Sequence, residues 1–390
     1  MTSVLFVTHT AAPSGAEIAT ARLARALRDL GVDVAVAFAE DGPMAERLRA
    51  DGIGTTILQG TFDSRAMTVT DPSPHRLLAG AARLVRLGWD LGAVAAERGA
   101  TVVIAESSKA LIMGAVAARR AGVPLVWHVH DRVSAEYFGP VLAAIVRGLG
   151  RWLSRGYIAN SRSTMSSLIP RRRALVAYPG IEPAQSAARA PQRAPAETVV
   201  AVVGRLTPWK GQDVFLRAVA DTTVRPAHVY LVGGTFFDEE PYREELEHLA
   251  AELDLPVTFT GHVDDPEDYM RRADILVHCS VIAEPFGQVV VEGMRAGCAV
   301  IASRPGGPTE IVEPGVNGLL VDAGDRRGLT AALDTLIGDP DLRRRMAAAA
   351  RQRAGCFDIT ESARAVARFL DTLGAPSRAE VNATWSRNAG

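Results

Sequence analysis

Apolar positions along the chain fall into two alternating kinds of run. Short β-branched stretches, Val4 to Val7, Val32 to Phe38, Thr101 to Ala105, Leu125 to His130 and Tyr157 to Ala159, read as strands. Between them, longer Ala/Leu/Arg segments such as Glu17 to Leu30 and Leu77 to Glu97 repeat their apolar residues at helical spacing. A second series follows, with Val199 to Val203, Val229 to Val232, Val257 to Thr260, Ile275 to His278 and Ala299 to Ala302. Strands alternating with helices predict parallel sheets covered by helices, an α/β fold.

The two series are separated by Glu182 to Glu197, where Pro183, Pro191 and Pro195 sit among Ala, Gln and Arg without hydrophobic period. Such a stretch buries little and reads as a linker. The pattern predicts an N-terminal Rossmann-like βαβ domain at 1–182, a linker at 183–197 and a C-terminal Rossmann-like domain at 198–373, the two facing a cleft. Ligands of open α/β sheets bind beyond the carboxyl ends of the strands, so the chemistry is expected there. The polar tail 374–390, with Trp385 its one large apolar residue, either packs back on the first domain or stays loose.

Composition narrows the classes. At 390 residues and 48% hydrophobic content the chain fills two cores. A net charge of −1 supplies no field to steer it onto nucleic acid, so a small neutral or anionic ligand is expected. Cys279, Cys298 and Cys356 match neither a disulfide framework nor a zinc site. With no basic leader and no run of about 18 apolar residues, a cytoplasmic protein that does not span a membrane is expected. Only Lys109 and Lys210 are lysines among 43 basic residues, so a lysine here points to a chemical requirement.

Candidate chemistry concentrates in the second series. Glu284-Pro285-Phe286-Gly287-Gln288-Val289-Val290-Val291-Glu292 follows a strand, and its Pro and Gly mark a turn into an amphipathic helix. Amides at that helix start suit phosphate or sugar oxygens, and carboxylates at Glu284 and Glu292 suit hydroxyls. Their bland alternative is a cap and an exposed helix residue. Upstream, Gly204-Arg205-Leu206-Thr207-Pro208-Trp209-Lys210-Gly211 follows the series' first strand. Two cations five positions apart on such a loop can clamp a nucleotide diphosphate. In the first series, Trp127-His128-Val129-His130-Asp131 ends a strand, and period-2 alternation puts both histidines on one face, with His130 last. A metal site is the competing reading, but no third well-spaced ligand is evident. Ser14-Gly15-Ala16-Glu17 carries both a glycine suited to close backbone approach and the pattern of a capping box. Neither series' first strand is followed by Gly-x-Gly-x-x-Gly, which counts against a dinucleotide-dependent oxidoreductase.

These motifs resemble the retaining GT-B glycosyltransferases of glycosyltransferase family four. Glu284 and Glu292 match that family's glutamate, seven residues, glutamate signature, with Pro-Phe-Gly after the first and Gly297 ending the helix. The resemblance implies a GT-B fold, a nucleotide-diphosphate sugar as donor, retention of anomeric configuration and no metal or other cofactor. It assigns Glu284 and the amides of Phe286, Gly287 and Gln288 to the transferred sugar, and Glu292 to the ribose. Arg205 and Lys210 would hold the diphosphate, and His130 the sugar. Gly261-His262-Val263 resembles the turn that reads the base through its backbone, with Val263 in that role, although an ordinary turn explains it too. Gly306-Gly307-Pro308-Thr309-Glu310 matches a further segment and equally a turn that starts a helix. Relatives carry Gly-Gly where this chain has Ser14-Gly15. The acceptor is not specified, and the loop Thr61 to His75 is among the segments expected to choose it. A nucleotide-sugar epimerase or pseudo-glycosyltransferase on the same fold, and a non-catalytic sugar-nucleotide sensor, are the alternatives.

Two other patterns bear on partners. Asp339-Pro340-Asp341, the one Asp-x-Asp, reads as a helix start and not as a metal site. Arg147, Arg151 and Arg155 recur every four residues on a helix that also carries Leu142, Ile145, Leu149 and Trp152. That is either a solvated basic face over a buried apolar face, or a basic amphipathic helix resting peripherally on the inner face of an anionic membrane.

Overall fold

A computed structural model of the chain describes residues 2–58, 74–182, 193–235 and 239–373. They divide into two compact units, Met1–Glu182 with Ile359–Gly390, and Pro183–Asp358. The loop Thr61 to His75, but for its last two residues, most of the expected linker and the tail 374–390 lie outside the described residues.

The first unit holds β1 (Ser3–Thr8), β2 (Asp33–Phe38), β3 (Gly54–Ile57), β4 (Val102–Ala105), β5 (Leu125–Val129), β6 (Gly156–Ala159) and β7 (Ala174–Val176). They form one sheet in the order β3-β2-β1-β4-β5-β6-β7, every pairing parallel. The second unit holds β8 (Val199–Val203), β9 (His228–Val232), β10 (Val257–Phe259), β11 (Ile275–His278), β12 (Ala299–Arg304) and β13 (Leu319–Asp322). Their order, β10-β9-β8-β11-β12-β13, is likewise all parallel. Each sheet therefore reverses its strand order once, between β1 and β4 and between β8 and β11, and such reversals open the crevice where α/β sheets take ligands.

Burial explains why these runs become strands. Sheets covered on both faces use apolar residues at successive positions. In β1, Leu5 and Val7 join one buried cluster with Val103, Leu125 and Trp127, while Val4 and Phe6 join another with Leu27, Val36 and Ile104. The strands that hydrophobicity did not anticipate, β3, β7 and β13, are edge strands whose residues are mostly half-buried or exposed.

Two expectations change. The helix Ile359–Asp371, placed by chain order in the second domain, belongs to the first unit. Its Ile359, Ala363, Val366 and Leu370 are buried in the cluster of Val4, Phe6 and Leu27, so apolar complementarity decides where it sits. On the helix Pro140–Leu153 the buried residues are Ala143, Val146 and Gly150, while Ile145 and Trp152 are exposed. Leu142 and Leu149 pack half-buried against the core, and at position 150 only glycine fits, because a Cβ there would stand 2.2 Å from the Trp127 ring.

Candidate functional site

In the second unit the strand reversal is lined by the loops after β8 and β11. After β8 the chain passes Gly204 and Arg205, makes a single 3-10 turn at Pro208–Lys210, and enters the helix Gln212–Ala220 through Gly211. After β11 it runs through Ser280 to Glu284 and into the helix Gln288–Ala296, whose N-cap Gly287 has φ 89°. These loops bring Lys210 Nζ to 2.7 Å from Glu284 Oε2. Ser280 Oγ donates to the same oxygen at 2.8 Å, and His278 Nε2 lies 3.2 Å from it. The Ser303 amide points at His278 Nδ1 from 3.4 Å, so Nδ1 is the accepting nitrogen and Nε2 carries the hydrogen toward Glu284. Burial works to protonate Glu284, but the Lys210 charge and the His278 hydrogen bond outweigh it and hold the carboxyl well below the usual range. All three donors converge on Oε2, and Oε1 makes no hydrogen bond among the described residues.

The remaining second-unit candidates are placed around this pair. Arg205 pairs with Glu239, Nε to Oε2 3.3 Å, so both expected phosphate-binding cations rest against glutamates. Gln288 Nε2 donates to Glu292 Oε1 at 3.2 Å, one helical turn apart. Val263 lies in the turn between β10 and the helix Pro266–Arg272. Phe286 is 3% exposed and its ring packs edge-on against Phe357, leaving its backbone as the part that can meet a ligand. The segment from Gly306 to Pro308 braces this loop. The Gly307 amide donates to the Glu284 carbonyl at 2.8 Å, and a Cβ on Gly307 would lie 2.2 Å from Phe286 Cα. Close backbone approach therefore explains the glycine pair. Asp339 caps its helix by accepting from the amides of Asp341 and Leu342, a structural role.

In the first unit, the residues following β1, β4 and β5 meet at the other strand reversal. His130 is buried, with Nε2 2.6 Å from Glu106 Oε2, and His128 Nδ1 lies 3.2 Å from Glu106 Oε1. Thr20 Oγ1 donates to Glu106 Oε2 at 2.7 Å. Burial opposes charge on the Glu106 carboxyl, yet the two histidines hold it well below its usual range. Burial also works to discharge His130, but the Glu106 hydrogen bond and charge win and raise its pKa; His128 is pushed down, chiefly by burial. His9, hydrogen-bonded to Ser107 at 3.0 Å, is lowered to about 4 by burial and the nearby Lys109 charge. Gly15 is exposed with open space around its Cα. Ser14 is the helix N-cap, but its hydroxyl donates to the Glu17 carboxylate and caps no amide, so the expected capping box is not formed.

Glu106 supplies the third group near the two histidines that sequence spacing did not reveal, and the three ligand atoms lie within 4.8 Å of one another. An ion bonded to both groups at roughly 2.1 Å would hold them near 3.3 Å apart. The 2.6 Å between His130 Nε2 and Glu106 Oε2 is a hydrogen-bond separation, so the trio as placed fits a shared proton better than a metal. Register was the signal that could have found Glu106. Ala105 pairs with Trp127, which puts the next residue, Glu106, beside His128. His278 ends β11, and no motif in the sequence marks it apart from the other strand residues.

Two parallel α/β units, one with a half-buried lysine–glutamate pair beside a helix start, define a doubly wound protein whose strand reversals are the places where such sheets take ligands. Residues 13–185 match the profile of Glycosyltransferase Family 4, and residues 185–353 that of Glycosyl transferases group 1. The lipopolysaccharide core biosynthesis glycosyltransferase LpsD of Rhizobium meliloti strain 1021 is 39% identical over 169 residues, 43% of this chain and 47% of that protein. The D-inositol 3-phosphate glycosyltransferase of Nocardioides sp. strain JS614 is 31% identical over 288 residues, 65% of this chain and 63% of that one. The chain thus spans between about half and under two thirds of the length of these curated relatives. The Anabaena HepE structure with UDP and glucose superposes with a TM-score of 0.79 at 27% identity, covering 95% of this chain and 100% of that one. This chain belongs to the GT-B glycosyltransferases of group 1.

Proposed function

We propose that this protein transfers a sugar from a UDP-linked donor to an acceptor hydroxyl with retention of anomeric configuration and without a metal. The observation that carries the reading is the half-buried Lys210–Glu284 pair at the β8/β11 reversal. The UDP-glucose complex of HepE, 28% identical over 95% of this chain, supports the choice of donor.

In this reading the diphosphate replaces Glu284 and Glu239 as partner of Lys210 and Arg205, so neither cation is left unmatched before or after binding. As the bond from sugar C1 to the diphosphate oxygen breaks, negative charge grows on that oxygen, and the two cations stabilise it. The acceptor oxygen forms the new bond to C1 on the same face, and its proton passes to the departing phosphate. Glu284 accepts from a sugar hydroxyl through Oε1, while Oε2 stays fixed by Ser280 and His278. The amides of Phe286, Gly287 and Gln288 face sugar oxygens, Glu292 holds the ribose, and Val263 reads the base through its backbone. His130 donates to a sugar oxygen, and Gly15 gives close backbone approach to the donor. Arg147, Arg151 and Arg155 bring the protein to a membrane face.

Release of UDP from UDP-glucose, with proton NMR of the product anomer, tests this reading. Lys210→Ala is expected to slow turnover by roughly 100- to 1,000-fold. Excess EDTA should leave wild-type turnover unchanged. Wild-type rates in Lys210→Ala would remove the cation assignment, and an inverted anomer would remove retention.

A further inference from the structure

The helix Pro140–Leu153 is apolar on two opposite sides. Inward it presents Ala143, Val146 and Gly150. Outward, Val141, Ile145 and Trp152 are 72%, 52% and 87% exposed. At 3.6 residues per turn these three positions fall within about 40° of each other, so they form one stripe along the helix. Among the described residues nothing of the unit covers it, and a contiguous apolar stripe ending in an open tryptophan marks a contact surface.

Its surroundings define what it contacts. From residue 139 to 155 the chain carries three arginines and no acidic residue. Arg147 and Arg151 lie along one flank of the stripe, and Arg155 follows the helix end. Arg171 joins them, with Nη1 3.3 Å from Ser154 Oγ, just after the helix. Burial first, and then the charges of Arg151 and Arg155, lower the pKa of its guanidinium against the opposing pull of Tyr157. An apolar stripe anchored by tryptophan and flanked by arginine matches the boundary between acyl chains and anionic headgroups. No described helix is long and apolar enough to cross a membrane, so the contact is one of lying on the surface.

We propose that the helix Pro140–Leu153 is a monotopic docking element that inserts Val141, Ile145 and Trp152 into the interface of an anionic bilayer, with Arg147, Arg151 and Arg155 on the headgroups. This deepens the membrane contact of the proposed function and moves its main anchor from the arginines to the apolar stripe.

Co-sedimentation of the full chain with phosphatidylcholine vesicles, with and without phosphatidylglycerol, tests it. Wild type is expected to pellet with the anionic vesicles at least about tenfold better than with the neutral ones, and to fall back to the neutral-vesicle level at high salt. Ile145→Ser/Trp152→Ser should lose binding to both. Arg151→Gln/Arg155→Gln should lose only the preference for anionic lipid. UDP-glucose binding in vesicle-free solution should be unchanged in both variants, so vesicle binding and donor binding fail independently. Equal pelleting of wild type and the serine variant would overturn the proposal, as would indifference to phosphatidylglycerol. A wild-type dimer that the serine variant dissolves would also overturn it, by assigning the stripe to a second copy.

Discussion

His130 meets Glu106 because β4 and β5 are neighbours in register. The strand's alternation made His130 legible as a candidate, but a carboxylate 24 residues earlier became visible only when two strands were laid side by side. The groups facing His130 are Glu106, His128, Glu17 and Asp131. In Glu106→Gln the anionic partner is gone, burial dominates, and His130 should titrate below its ordinary value of about 6.5. Nitrogen-15 NMR of the imidazoles reads this directly; an unmoved His130 would show that Glu106 does not hold its proton. Because the folded pKa of His130 is raised, its contribution to stability is present below about pH 6.5 and lost as pH rises through the folded value. Glu106→Gln should therefore flatten that part of the stability profile. The Lys210 assignment was legible for a different reason: in a chain with two lysines, residue choice itself carried information.

At the scale of elements, the loop from Glu284 to Gly287 keeps its shape through Gly306 and Gly307. Gly307→Ala would drive a methyl against the Phe286 backbone, which cannot rotate away. At Gly293 an equally close Cβ would meet the Leu276 side chain, which can. Urea unfolding should find Gly307→Ala costing about 3 kcal/mol or more and Gly293→Ala less. Gly307→Ala should also weaken UDP-glucose binding, because the helix-start amides shift with the loop. Equal costs would show that the Phe286 backbone is not the limiting contact. The glycine pair was readable in the sequence as a turn; the backbone it presses against was not, since that contact joins segments some twenty residues apart.

For the whole molecule, apolar periodicity made both parallel sheets readable and missed only edge strands of three or four residues, too short to show a period. It could not assign the helix Ile359–Asp371, because an amphipathic helix does not state which core it will complete. Ending the chain at Asp358 should uncover Ile359's neighbours Val4, Phe6 and Leu27 and cost the first unit on the order of 5 kcal/mol, while the second unit melts as before. Calorimetry that finds both units unchanged would contradict that placement. Acid acts on both units. Glu106 and Glu284 have folded pKa values below their unfolded ones, so their contributions are present above about pH 4.3 and lost as pH falls through the folded values.

The return of Ile359–Asp371 to the first unit also orders events at the ribosome. Residues 1–182 leave the exit tunnel as an incomplete body, and the helix that closes them is made only after 183–358. At ordinary elongation rates this interval lasts on the order of ten to forty seconds. Throughout it, Val4, Phe6 and Leu27 wait without their cover, and the nascent chain is most open to chaperone capture and to aggregation.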